Sequence, residues 1–130
     1  MSKLKVLYID DDVAMMRLVS EMLSRMGLQV RMASRTAEAD AVLSQEKVDI
    51  IVSDVQMEGE DGLTYCRRIR AEGNRLPVIL LSAGIDPNAA HSTGANLCMN
   101  KPFDVMKLHQ QILALATPLN PSANPTAENR

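Results

Sequence analysis

Three short apolar runs, separated by stretches of helical periodicity, constrain what this chain can fold into. They lie at 6–9 (VLYI), inside VDIIVSD at 48–54, and inside LPVILLSA at 76–83. Short runs rich in valine, isoleucine and leucine and bounded by polar residues are strands buried on both faces, the pattern of a parallel sheet. The runs also end alike: 6–9 leads into Asp10, Asp11 and Asp12, the second run ends in Asp54, and the third ends in Ser82. Buried carboxylates are costly unless a cation pairs with them.

The intervening segments complete an alternation of strand and helix. Residues 12–27 place Met15, Leu18, Val19, Met22, Leu23 and Met26 at helical spacing, with Asp12 as N-cap and Gly27 as stop. LQVRMA at 28–33 alternates as a half-buried strand. A helix follows over 34–45, with Ser34 or Thr36 as cap and Ala37, Ala41 and Val42 on one face. MEGEDG at 57–62 is a loop. The helix at 63–73 turns Leu63, Cys66 and Ile69 inward and closes at Gly73. A short helix begins near Pro87, ANLCMNKP at 95–102 is the last strand, and 103–116 is a helix with Val105, Leu108, Ile112 and Leu115 on its face. This alternation predicts an α/β fold: a flavodoxin-like, doubly wound, five-stranded parallel sheet of order 2-1-3-4-5, with five helices on both faces. TPLNPSANPTAENR at 117–130 is rich in proline and asparagine; the expected folded unit is 1–117, with 118–130 a flexible tail or linker stub.

Composition narrows the function. A chain of 130 residues with 46% hydrophobic residues fits one domain with a real core, and with Tyr8, Tyr65 and Phe103 as its aromatic residues and nine Met, that core is aliphatic. The net charge of −2 is spread along the chain, which argues against direct nucleic-acid binding. No apolar run approaches the ~20 residues that cross a bilayer, and the N-terminus turns acidic where a signal peptide continues apolar, so the expectation is a cytoplasmic protein off the membrane. Cys66 and Cys98 lack metal-ligand spacing and are expected as reduced thiols; His91 and His109 are isolated.

In the 2-1-3-4-5 order, ligands sit beyond the carboxyl ends of the strands. Asp10 and Asp11 follow the first strand, Asp54 ends the third, Ser82 the fourth, and Lys101 follows the fifth. Clustered carboxylates need a cation, and hard oxygen ligands suit Mg2+ or Mn2+. One carboxylate is then free to act as a nucleophile in aspartyl-phosphate chemistry, with Lys101 as a point charge and Ser82 as a donor.

YIDDD, SDVQMEGEDG, ILLSAG and NKPF resemble a receiver domain of two-component response regulators, of the chemotaxis-regulator type, over residues ~4–116. The resemblance implies that Asp10 and Asp11 help bind Mg2+, that Asp54 accepts a phosphoryl group from a histidine kinase or phosphotransfer protein, and that the backbone carbonyl of Gln56 completes the metal site. It implies phosphoryl contacts for Ser82 and Lys101 and a cis Lys101–Pro102 bond. It also implies a downstream effector domain or protein, read through the face of the fourth strand, fourth helix, fifth strand and fifth helix, with the fourth-helix, fifth-strand and fifth-helix face as the candidate homodimer surface. Two positions depart from the family pattern: Glu58 stands where a proline is usual, and Cys98 where an aromatic switch residue is usual. Three other readings stand beside this one. A receiver-like docking module would work without phosphorylation. A small Mg2+-dependent phosphatase of the haloacid-dehalogenase type would use Asp10 and Asp12 as a D-x-D pair but needs more chain than 130 residues. A flavodoxin-like FMN binder would need a phosphate-cradling loop where the acids stand.

Overall fold

The computed structural model describes residues 3–117, in which five strands alternate with five helices. The strands are β1 (Lys5–Ile9), β2 (Gln29–Ala33), β3 (Ile50–Asp54), β4 (Val78–Ser82) and β5 (Leu97–Asn100). The helices are α1 (Val13–Arg25), α2 (Thr36–Gln45), α3 (Gly62–Ala71), α4 (Pro87–His91) and α5 (Val105–Ala116). The strands form one parallel sheet in the expected order, β2-β1-β3-β4-β5. The expected tail, 118–130, lies outside the described residues.

Strand alternation divides the core in two. Val6 and Tyr8 of β1 point to the side covered by α1 and α5, where Met16, Val19, Leu23, Leu108 and Ile112 are buried. Leu7 and Ile9 point to the opposite side, against Ala39 of α2, Tyr65, Cys66 and Ile69 of α3, and Ala90 of α4. β3 and β4 are buried along their whole length, as runs covered on both faces must be.

Two helices differ in detail from the sequence reading. In α1 the buried arc is Met16, Val19, Ser20 and Leu23, whereas Met15, Leu18 and Met22 are exposed. The helix carries two apolar stripes at the same i, i+3, i+7 spacing, and a sheet covers one arc of a helix, so periodicity alone does not choose between them. In α2 the N-cap is Arg35, with no side-chain capping bond, in place of Ser34 or Thr36. Glu38 reaches back instead, accepting from the Ser34 amide at 2.7 Å and the Ser34 hydroxyl at 3.0 Å, one residue before the N-cap. These two bonds hold its carboxyl below the usual carboxylate range. The inward residues of α2 are Thr36 and Ala39, with Val42 and Leu43 partly buried, while Ala37 and Ala41 face solvent.

Candidate functional site

The chemistry-bearing residues converge where the central strands end. The Asp10 amide donates to Ala33 O at 3.1 Å, extending the β1–β2 ladder one residue and drawing Asp10 fully inside. Its Oδ1 accepts from the Asp12 amide at 3.0 Å, and the Tyr8 hydroxyl lies 3.4 Å from its Oδ2. Burial pushes the Asp10 carboxyl above the usual carboxylate range; Asp54 adds to this, while the Asp12 amide and Lys101 oppose it. Tyr8, two residues earlier and on the same face of β1, is pushed up by its own burial and then by Asp10. Asp11 is exposed, and its Oδ2 accepts from the Glu58 amide at 2.9 Å. Asp12 caps α1, accepting from the Met15 amide at 3.1 Å, so the second member of the D-x-D pair is committed to the helix.

Asp54 is the last residue of β3 and is buried. The chain beyond it is tied to β4, where the Val55 amide donates to Leu81 O at 2.8 Å. Lys101 Nζ lies 2.9 Å from Asp54 Oδ1. This ion pair compensates the charge of the buried Asp54 carboxylate. Lys101 is placed by its own backbone, whose amide donates to Ser82 O at 2.7 Å, and its bond to Pro102 is cis. Ser82 is fully buried, and its Oγ accepts from the Ile85 amide at 3.1 Å. Gln56 is exposed, its Oε1 3.5 Å from the Ala83 amide, so it spans the mouth between the β3 and β4 loops. Gly62 is buried under Asp54: a Cβ there would run into the Asp54 carbonyl oxygen and sit 3.0 Å from Val55 Cα.

Asp10, Asp11 and Asp54 each offer an oxygen within 4.8 Å of the others, the one such cluster among the described residues. An all-oxygen donor set of three carboxylates fits a hard divalent cation such as Mg2+. His91 and His109 stand apart from it. Cys66 and Cys98 are free, and burial pushes the Cys98 thiol above its ordinary range.

Residues 6–113 match the family model described as the response regulator receiver domain. The chain belongs to this family. The receiver domain is 35% identical over 115 residues to the transcriptional regulatory protein GltR of Pseudomonas aeruginosa, covering 85% of the chain and 48% of that protein. It is 33% identical over 115 residues to the response regulator MprA of Mycobacterium leprae, covering 86% of the chain and 50% of the relative. It therefore spans about half the length of these curated relatives. Among solved structures, the receiver domain of the Francisella response regulator 1452 superposes with a TM-score of 0.84 at 26% identity, covering 88% of this chain and 97% of that one. The chemotaxis response regulator CheY4 of Vibrio cholerae gives 0.79 at 26% identity, covering 88% and 99%.

The structure brings Asp10, Asp11, Asp54 and Lys101 together, ties Ser82 to Lys101 through its backbone carbonyl, and sets the Gln56 side chain beside the β4 loop. Three contributors escaped that reading: Tyr8, Glu58 and Gly62. Tyr8 was accessible in principle, since strand alternation puts residues 8 and 10 on one face. The other two depend on the path of the loop after β3, which carries no periodic signal.

Proposed function

We propose that this receiver domain is a phospho-acceptor switch in which Asp54 takes a phosphoryl group from the phosphohistidine of a histidine kinase or phosphotransfer protein. The observation that supports this most is the buried Asp54 carboxylate, whose Oδ1 is ion-paired to Lys101 at 2.9 Å and which clusters with two further carboxylates. Three carboxylates facing a single ammonium leave negative charge uncompensated, which favours a cation there. Asp10, Asp11, Asp54 and the Gln56 carbonyl would hold Mg2+ (or Mn2+), which supplies positive charge against the phosphoryl oxygens.

The chain's own residues do the rest. An Asp54 oxygen forms the bond to phosphorus as the P–N bond breaks and its electron pair leaves with the donor imidazole. Lys101 is already at the acceptor and faces the incoming charge. Ser82 Oγ acts as an acceptor toward Ile85, so its own proton remains available to a phosphoryl oxygen. Gln56 and Gly84 flank the mouth and bear on the lifetime of the phosphorylated form. The charge added at Asp54 biases the face of β4, α4, β5 and α5, which a downstream effector reads. With Cys98 on β5 in place of an aromatic ring, that readout proceeds without a ring swing. We place the domain in the cytoplasm, as is typical of response regulators.

Incubation with acetyl phosphate and Mg2+, followed by intact mass, tests the acceptor. One phosphoryl adduct is expected on the wild type and none on Asp54→Asn; an adduct on the variant overturns the assignment.

A further inference from the structure

The loop that follows the acceptor is fastened at three points. At its base the Gly62 amide donates to Val55 O at 2.9 Å. On its outer side Glu60 is gripped by Arg68, whose Nε and Nη2 each lie 2.9 Å from a carboxylate oxygen. On the pocket side the Glu58 amide donates to Asp11 Oδ2 at 2.9 Å. The third tie differs from the others because its far end is a candidate metal ligand, and because it joins the end of β1 to the loop that carries the Gln56 carbonyl two residues upstream of Glu58.

We infer that the backbone N–H of Glu58 is a positioning group for the cation site, holding Asp11 and the Gln56 loop in one arrangement before the ion arrives. This rests on the proposed metal role of Asp11. Asp11 is exposed, so without a partner its carboxylate would sample several rotamers with both oxygens hydrated. An ion recruiting it would then have to order the side chain and strip competing water. With Oδ2 already held by an amide, both demands are reduced, and the carboxylate keeps lone pairs for the cation. Losing an outer-shell partner of this kind typically costs roughly 10–100-fold in metal affinity. The device depends on a residue other than proline at position 58, because proline has no N–H to give. The departure at Glu58 thus acts through its backbone.

Glu58→Ala and Glu58→Pro both remove the side-chain charge, but proline alone also removes the amide proton. Mn2+ binding to the full chain, followed by the loss of the free-ion electron paramagnetic resonance signal, separates the two contributions. Glu58→Pro is expected to bind about tenfold more weakly than Glu58→Ala, at the low end of outer-shell effects. Equal affinities for the two variants overturn the inference while leaving the site intact. Absence of Mn2+ binding in the wild type strikes at the site itself. Amide hydrogen exchange at residue 58 gives a reading that does not depend on how the proline variant folds. Its exchange should be slow in the wild type and accelerate in Asp11→Ala; equal rates in both overturn the inference.

Discussion

Replacing Asp10 with asparagine should stabilise the metal-free protein, although it removes a residue proposed to be functional. Asp10 is fully buried, and Asp54 offers an oxygen within 4.8 Å. Two like charges at that distance repel by about 3.5 kcal/mol at an effective dielectric constant of ~20. Withdrawing the Asp10 charge from water is the larger cost and the repulsion adds to it, while the Asp12 amide and Lys101 offset part of both, leaving a net penalty of about 1–2 kcal/mol that asparagine, with the same shape and an oxygen for the Asp12 amide, relieves. In a domain of this size, about 3–5 °C in melting temperature accompanies each kcal/mol, so Asp10→Asn should melt about 3–10 °C above the wild type in EDTA.

Mg2+ should narrow or reverse the gap. At ten times its dissociation constant a cation stabilises the protein it binds by about 1.4 kcal/mol, and the variant has lost a ligand. The pH dependence has a definite sign. A carboxyl whose folded pKa is raised favours folding most when protonated, and this contribution is lost as pH rises through the folded value. The variant's advantage is therefore largest near neutrality and fades as pH falls below the raised pKa toward the unfolded one. Urea titrations of both proteins in EDTA across that range are the assay. A variant less stable than the wild type at neutral pH without metal would refute the reasoning.

Gly62→Ala should destabilise the domain by about 1–3 kcal/mol, because backbone atoms of Asp54 and Val55 block the new methyl; urea unfolding measures it. Arg68 pairs with Asp40, Glu60 and Glu72 and lies 5.0 Å above the Tyr65 ring. Because these groups are partly exposed, Arg68→Ala should lower stability by about 1–2 kcal/mol, less in high salt, and lysine should restore little because it lacks the fork that grips Glu60. Met15, Leu18 and Met22 border a groove of about 500 Å3 that also takes in Lys101, Pro102 and Phe103, next to the acceptor. If a protein donor docks over this rim, as the proposed phosphotransfer allows, Leu18→Glu should slow transfer from a histidine kinase while leaving labelling by acetyl phosphate unchanged.

The fold was legible because each strand of the inner sheet is an unbroken apolar run and α1, α3 and α5 carry a clear periodicity. Asp10, Asp54 and Ser82 were legible for the same reason: a residue at the end of a buried strand has its position set by the strand. What escaped was set by tertiary contact. The two stripes of α1 have identical spacing, and packing against Tyr8 and its neighbours decides which is buried. The tie at the start of α2 comes from Glu38 reaching back, a bond that depends on the path of the β2–α2 turn. The links from Glu58 to Asp11 and from Gly62 to Asp54 join residues through an irregular loop, where neither period nor propensity reports on geometry.

The central claim is that Asp54 carries the phosphoryl group. Borohydride treatment of the protein after phosphorylation by acetyl phosphate and Mg2+, followed by peptide mapping, tests it most directly, since reduction converts an aspartyl phosphate to homoserine. Homoserine at position 54 is the predicted result. Homoserine at Asp10, Asp11 or elsewhere, with residue 54 still aspartate, would contradict the account.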